Sequence, residues 1–175
     1  MPSMPEGPAP AGAASDETGA AGGRVERVAD EAALAGVARR LAAALPARAF
    51  LALEGDLGAG KTTFAKALAA ATGVDPTDVV SPTFGLVHVH PVPARPGGPR
   101  RIVHADFYRL AGVGDLAEIG WEDATAGDSW TLVEWPSRAA AALPPDRLDV
   151  AIRIDSPTAR TLSFTPRGRF RPGAW

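Results

Sequence analysis

The chain contains the stretch Gly55-Asp56-Leu57-Gly58-Ala59-Gly60-Lys61-Thr62, which satisfies the phosphate-binding pattern G-x-x-x-x-G-K-[ST] in full. The apolar run at 50–53 predicts a buried strand before it, and the alanine-rich run at 62–72 predicts a helix that ends at Gly73. Glycines let the backbone turn tightly, so that several N–H groups converge on a phosphate at the positive end of a helix. This context favours a phosphate-binding loop over a glycine-rich loop without a ligand.

Two side chains of this loop predict the chemistry of the ligand. Lys61 would reach the β- and γ-phosphates of a nucleotide, and the Thr62 hydroxyl would bind Mg²⁺. The chain has only two lysines, Lys61 and Lys66, and one of them occupies the lysine position of the pattern. We therefore expect a nucleotide and Mg²⁺ at this loop.

Length and composition limit the other possibilities. A chain of 175 residues with 46% hydrophobic residues supports one domain with a real core. A net charge of −2 argues against a protein that binds DNA or RNA through a basic face, and the absence of cysteine excludes disulfides and cysteine-based metal sites. Guanine-specific sites read their base with an Asn-Lys-x-Asp segment, and this chain has no asparagine, which favours ATP.

The two ends of the chain differ in composition from its middle. Residues 1–23 are rich in Pro, Ala, Gly and Ser and lack the features of signal and transit peptides, so we expect a disordered tail there. A nucleotide-binding domain is expected at 24–168, and a short C-terminal tail at 169–175. No apolar stretch of 18 residues occurs, so we expect a cytoplasmic protein without membrane contact.

The remaining patterns predict a three-layer α/β domain with a mainly parallel central sheet and antiparallel edge strands. Asp30 is placed to cap a first helix, which has Leu34, Val37, Leu41 and Leu45 on one face and ends at Pro46. The other expected elements are a hairpin of strands 85–90 and 101–106 with an extended tip at 91–100, short helical turns within 115–124, a strand at 130–133, and an antiparallel pair at the sheet edge formed by 148–155 and 160–165.

Two acidic residues stand where strands are expected to end. Asp106 closes one strand and Glu134 closes the next apolar run, and ligand-binding groups of open α/β sheets lie at the carboxyl ends of strands. Nucleotide hydrolysis needs a carboxylate near Mg²⁺ and a group that orients water. Strand position alone leaves open which acid contacts the metal.

Hydroxyl and histidine side chains near these strands have less specific patterns. Ser81 to Phe84 lie where nucleotide switches place a hydroxyl that senses the γ-phosphate, although a simple turn explains them equally well. His104 fits either a core histidine or a catalytic one. His88 and His90 alternate with valines, which predicts a solvated strand face.

The ordered motifs resemble the TsaE (YjeE) family, small bacterial P-loop ATPases needed to make threonylcarbamoyladenosine on tRNA. The resemblance runs from about residue 30 to about residue 165 and implies a P-loop NTPase fold. After the phosphate-binding loop, it rests on Ser81-Pro82-Thr83-Phe84, His104-Ala105-Asp106-Phe107-Tyr108-Arg109-Leu110, Leu116-Ala117-Glu118-Ile119-Gly120-Trp121-Glu122-Asp123 and Leu132-Val133-Glu134-Trp135-Pro136.

The resemblance implies roles for individual residues. Lys61, Asp106 and Glu134 would be catalytic, with Asp106 the acid essential for hydrolysis, and Thr62 and Glu134 would bind Mg²⁺. Thr83 would be the switch threonine, and Trp135 would lie beside the nucleotide. The full set expected to bind ATP is Glu31, Gly55, Asp56, Leu57, Gly58, Ala59, Gly60, Lys61, Thr62, Thr63, Thr83, Trp135, Ala159 and Arg160.

The family also implies partners. TsaD transfers the threonylcarbamoyl group to the adenosine beside the anticodon, TsaB is its companion, and this chain would use ATP hydrolysis to reset their complex. Contact with tRNA would then be only indirect, and no DNA is expected. Two alternatives remain at the level of sequence: a P-loop small-molecule kinase, and a non-catalytic switch in which ATP binding alone orders the segment at 81–84.

Overall fold

The computed structural model of the chain describes residues 23–82 and 86–175. Residues 1–22 and 83–85 lie outside the described part, so the expected disordered tail stays a prediction. The elements are, in chain order, β1 (Arg24–Val28), α1 (Glu31–Ala44), β2 (Ala49–Glu54), α2 (Lys61–Ala71), β3 (Val87–Pro91), β4 (Arg101–Asp106), α3 (Gly114–Glu118), α4 (Trp121–Thr125), β5 (Ser129–Glu134), a 3₁₀ segment (Pro136–Ala142), β6 (Arg147–Ile154) and β7 (Arg160–Arg167).

The seven described strands form one sheet in the order β1-β7-β6-β2-β5-β4-β3. Strand β2 is parallel to β5 and to β6, and β5 is parallel to β4. The pairs β3–β4, β6–β7 and β1–β7 are antiparallel. The expected mainly parallel centre with antiparallel edges is therefore confirmed.

The sheet is covered on both faces, as a mainly parallel sheet requires. Helices α1 and α2 pack on one face, where Phe64 and Leu68 share a cluster with Leu51 and Ile102. Helices α3 and α4 cover the other face, where Trp121 packs with residues of β4 and β5. The three-layer prediction is confirmed.

The first helix begins and ends where the sequence indicates. The Asp30 carboxylate accepts a hydrogen bond from the Ala33 backbone N–H at 2.8 Å, and Leu45 leaves the helical conformation just before Pro46. An aspartate at this position satisfies an N–H group that has no partner within the helix. The predicted apolar face is buried through Leu34 and Leu41.

The C-terminal strands pair as predicted, but their place in the sheet is not the edge. Strand β7 lies between β6 and β1, and β1 was not predicted as a strand. The sequence of β1, Arg-Val-Glu-Arg-Val, offers little burial: Val28 is buried, whereas Val25 is 51% exposed. The ladder to β7 makes this segment a strand, and its charges suit an edge.

The predicted β3–β4 hairpin with an extended tip is confirmed, since the Val92 N–H donates to the Arg100 carbonyl. The solvated face predicted for His88 and His90 is wrong. Val89 is the exposed residue, at 49%, whereas the His90 Nε2 atom is buried. His88 lies opposite His104 in the ladder, and His90 lies opposite Ile102. All three histidines therefore lie on the face of the sheet that packs toward α1 and α2.

Candidate active site

The glycine-rich loop joins the carboxyl end of β2 to the start of α2. Gly55 and Gly60 both have positive φ angles, of 155° and 105°. A Cβ at Gly55 would lie 2.5 Å from the Ile152 carbonyl oxygen, so only glycine fits between the loop and β6. Helix α2 begins without a side-chain cap, which leaves its first N–H groups directed at the loop.

The predicted loop residues are all placed in this turn or in the first turn of α2. Leu57 lies at its tip and is 86% exposed, whereas Ala59 is fully buried. The loop is closed locally by the Ala59 N–H, which donates to the Asp56 carbonyl at 3.0 Å. The set brought together here comprises Gly55, Asp56, Leu57, Gly58, Ala59, Gly60, Lys61, Thr62 and Thr63.

Lys61 is buried, and its ammonium group is folded back into the loop. The Nζ atom donates to the carbonyl oxygens of Gly55 at 2.6 Å and Asp56 at 2.9 Å. It also lies 3.9 Å from the centroid of the Trp135 ring. Burial lowers the pKa of Lys61, while nearby carboxylates, led by Glu134, act in the opposite direction.

Trp135 follows β5 in a left-handed conformation with a φ angle of 56°. This turn places its ring in contact with the Lys61 ammonium and with the Tyr108 ring, whose centroid is 5.1 Å away. The structure thus brings Trp135 to the loop, as the sequence indicated. Thr83, the expected switch residue, lies outside the described residues.

Glu134 and Asp106 are neighbours across the β4–β5 ladder, and both are buried. The Glu134 Oε1 atom accepts a hydrogen bond from the Thr62 hydroxyl at 2.7 Å and lies 2.8 Å from His104 Nε2. The Asp106 Oδ1 atom accepts the Tyr108 backbone N–H at 2.8 Å. Parallel strands end at one edge of the sheet, which is why both acids meet the loop that follows β2.

The donor set suits a magnesium ion. The Thr62 hydroxyl and the Glu134 carboxylate offer oxygen atoms within hydrogen-bond distance of each other. Mg²⁺ prefers oxygen, keeps several waters and is held by one or two protein ligands together with substrate phosphates. Within residues 23–82 and 86–175, no group of three or more histidine and acidic side chains is arranged to hold a metal by itself.

A cavity of about 530 Å³ adjoins the outer side of the loop. Glu31 and Arg160, both predicted to lie near the nucleotide, line it together with Leu34 and Pro157. Its mixture of apolar surface and a few polar groups is typical of small-molecule sites. Ala159, the other predicted position, lies in the adjoining β6–β7 turn, where its N–H donates to the Ser156 hydroxyl.

Arg160 holds that turn against the loop. Its guanidinium donates to the Ala59 carbonyl at 2.9 Å and to the carbonyls of Ser156 and Ala159, both also at 2.9 Å. The sequence did not indicate this connection, because nothing in the local pattern relates two segments that lie 101 positions apart. The contact of His104 with Glu134 was also missed, although strand alternation places His104 on the same face as Asp106.

The sequence matches a known protein family over most of its length. The family model described as threonylcarbamoyl adenosine biosynthesis protein TsaE matches residues 28–162. The chain belongs to the TsaE family. A TsaE protein of Streptomyces coelicolor is 43% identical over 117 residues, covering 67% of this chain and 75% of the relative. That of Mycobacterium leprae is 38% identical over 133 residues, covering 73% and 78%.

A solved structure agrees with this assignment. The crystal structure of Bacillus subtilis YdiB superposes with a TM-score of 0.64 at 28% identity, covering 83% of this chain and 86% of that chain. Membership of the TsaE family places the chain in the biosynthesis of threonylcarbamoyladenosine on tRNA and implies nucleotide binding in general. In the part of the chain that is described, no helix is long and apolar enough to cross a membrane.

Proposed function

We propose that this chain hydrolyses ATP with Mg²⁺ as cofactor, and that hydrolysis resets a complex of TsaD and TsaB between turnovers of tRNA modification. One observation carries the proposal: the Lys61 ammonium, the Thr62 hydroxyl and the carboxylates of Glu134 and Asp106 meet at one edge of the sheet. Phosphoryl transfer depends mostly on positioning and on neutralising charge, and these groups supply both.

We expect Lys61 to bind the phosphates of the nucleotide. In the structure its ammonium group bonds to two neutral carbonyl oxygens of the loop. Phosphate oxygens carry negative charge and are therefore stronger acceptors. We expect the Nζ atom to move from the carbonyls of Gly55 and Asp56 to the β- and γ-phosphates, while backbone N–H groups of the loop and of the first turn of α2 bind the same oxygens.

Glu134 and Asp106 would have different roles in hydrolysis. Mg²⁺, when bound, would supply positive charge to the β- and γ-phosphate oxygens. Thr62 and Glu134 would hold it, and Asp106 would accept a hydrogen bond from the attacking water. The water oxygen bonds to the γ-phosphorus as the bond to the β–γ bridging oxygen breaks, which yields ADP and inorganic phosphate.

We expect the cavity beside the loop to hold the base and ribose of the same nucleotide. It is lined by Glu31, Thr63 and Arg160, and it opens beside Gly58 and Gly60. Its apolar surface suits stacking of a purine ring, and the lack of asparagine in the chain argues against guanine readout by an Asn-Lys-x-Asp segment. We therefore propose ATP rather than GTP as the substrate.

The partner proposal predicts binding that depends on the nucleotide. Thr83 would sense the γ-phosphate, so the surface around the loop, including the exposed Leu57 and Tyr108, would differ between the ATP and ADP states. Association with the TsaB–TsaD complex should then be tighter with a non-hydrolysable ATP analogue than with ADP. Equal affinities by calorimetry would contradict this part of the proposal.

A reconstituted tRNA-modification assay tests the function as a whole. With wild-type protein, product should exceed the amount of TsaD many times; with Lys61→Ala, it should stop at about one product per TsaD complex. Lys66→Ala, which changes the other lysine of the chain, is the matched control and should behave as wild type. Sustained turnover with Lys61→Ala would reject the resetting role. Transfer of phosphate from ATP to a metabolite, in place of release of free phosphate, would indicate a kinase.

A further inference from the structure

His104 is the one buried imidazole of the described chain that touches the proposed metal-binding carboxylate. It lies on β4 two residues before Asp106, and its side chain has no exposed surface. Its Nε2 atom is 2.8 Å from Glu134 Oε1, on the neighbouring strand. A carboxylate that binds Mg²⁺ is ionised and only accepts hydrogen bonds, so Nε2 is the donor of this pair in the proposed magnesium site.

The second ring nitrogen of His104, Nδ1, indicates which tautomer is present. Within residues 23–82 and 86–175, the buried Nδ1 atom has no hydrogen-bond partner. A neutral ring with its proton on Nε2 leaves only a lone pair at Nδ1. The other tautomer, with its proton on Nδ1, would leave a buried N–H without an acceptor and would set two lone pairs against each other at Nε2 and Oε1, which costs more. The geometry therefore favours the neutral Nε2–H tautomer.

Both donors reach the same oxygen of Glu134. The Thr62 hydroxyl and the His104 ring approach Oε1 from different elements, α2 and β4. Two donors on one oxygen restrict rotation of the carboxylate, which otherwise turns freely about its last torsion. Thr62 lies in the first turn of α2, beside the loop that must receive the phosphates, whereas His104 lies on β4, which is paired with a strand on each side. Of the two donors to Glu134 Oε1, His104 is therefore the one that lies outside the phosphate-binding loop and α2.

We propose that His104 is a positioning residue that holds the Glu134 carboxylate in the orientation required to bind magnesium with the nucleotide. The inference rests on the proposed function, in which Glu134 is a metal ligand. A merely structural role predicts only a loss of packing when the ring is replaced. A positioning role predicts, in addition, that magnesium affinity follows the presence of a donor at Nε2 and not the shape of the side chain.

Two variants separate these roles. His104→Gln keeps an N–H donor at the position of Nε2, whereas His104→Leu keeps an apolar side chain of similar size and removes the donor. His88→Leu is the matched control, because His88 lies directly opposite on β3 and has no contact with Glu134 among those described. Circular dichroism melting curves establish that each variant is folded.

The measured quantity is the Mg²⁺ concentration that gives half-maximal binding of a non-hydrolysable ATP analogue, by isothermal calorimetry. Loss of a group that supports a metal ligand typically lowers metal affinity 10–100-fold, so His104→Leu should raise this concentration by about 10-fold or more. His104→Gln and His88→Leu should remain close to wild type. Equal values for His104→Leu and wild type, or equally large increases for the Gln and Leu variants, would overturn the proposal.

A second readout needs no nucleotide. In ¹⁵N-labelled nucleotide-free protein, the His104 ring should show the Nε2–H tautomer, and its Nε2–H signal should shift in Glu134→Ala. An Nδ1–H tautomer would overturn the proposal even if His104→Leu failed to fold. Failure of wild-type protein to bind the analogue with Mg²⁺ would reject the proposed function itself, so the two failures are distinguishable.

Discussion

At the scale of single residues, the two buried acids have different surroundings. Glu134 is bonded to the Thr62 hydroxyl, the group expected on Mg²⁺, whereas Asp106 is oriented by the Tyr108 backbone N–H. This difference favours Glu134 as the metal ligand and Asp106 as the group that orients water. Strand position alone, from the sequence, did not separate them.

Substitution of each acid should therefore give a different kinetic pattern. Glu134→Ala should raise the Mg²⁺ concentration required for hydrolysis, because it removes a metal ligand. Asp106→Asn should keep ATP binding and lower kcat by about 100-fold, the lower end of what a general base contributes. A magnesium titration of phosphate release checks both, and the reverse pattern would exchange the two roles.

At the scale of elements, Arg160 joins the β6–β7 turn to the phosphate-binding loop. Arg160→Ala should destabilise the fold by about 2 kcal/mol, because several backbone carbonyls lose a charged donor. Arg160→Lys should recover only part of this loss, since an ammonium group cannot span the carbonyls on both sides. Urea denaturation measures the effect, and a variant as stable as wild type would contradict it.

His90 on strand β3 should make the free energy of unfolding depend on pH. Burial lowers the pKa of His90 below its ordinary value of 6.5, a proton taken up by His104 or His88 would act in the same direction, and the Asp78 carboxylate opposes this shift. The unfolded chain takes up this proton first, so stability is complete above 6.5 and is lost as pH falls below it.

The substitution His90→Leu tests this dependence. Urea denaturation at about pH 7.5 and about pH 5.5 should show a smaller loss of stability in the variant than in wild type. His88→Leu provides the comparison from the same strand face. Parallel losses in wild type and His90→Leu would show that the acid sensitivity has another origin.

Much of the element order could be predicted, because local signals were strong. Asp30 and Pro46 bound α1, and the loop pattern fixed the strand before it and the helix after it. Strand β1 could not be predicted, since its stability comes from the ladder to a segment far along the chain. The buried face of β3 could not be predicted for another reason: a period of two does not say which side of the strand meets the helices.

At the scale of the whole molecule, the parallel centre of the sheet assembles the site. Strands β2, β4 and β5 run in the same direction, so the loop, Asp106 and Glu134 meet at one edge. The residue types at the site were therefore predictable once the strands were recognised. The connections through His104 and Arg160 were not, because they depend on side-chain contacts between distant segments.

The C-terminal residues also belong to the packed molecule. The Trp175 ring stacks edge-on against Phe164 at 4.8 Å between centroids, and the Gly173 N–H donates to the Ala44 carbonyl at 2.8 Å. Trp175→Ala should destabilise the fold by about 2 kcal/mol, less than for a fully buried tryptophan because the ring is partly exposed. Thermal denaturation measures this effect, and an unchanged melting temperature would contradict it.

The proposed reaction is hydrolysis of ATP at the loop that holds Lys61. The most direct measurement is release of phosphate and ADP from ATP by the protein with the TsaB–TsaD complex present. We expect equal amounts of both products, a rate at least about 100-fold lower for Lys61→Ala, and an unchanged rate for Lys66→Ala. Hydrolysis by Lys61→Ala at the wild-type rate, or no release of phosphate by wild-type protein, would contradict it.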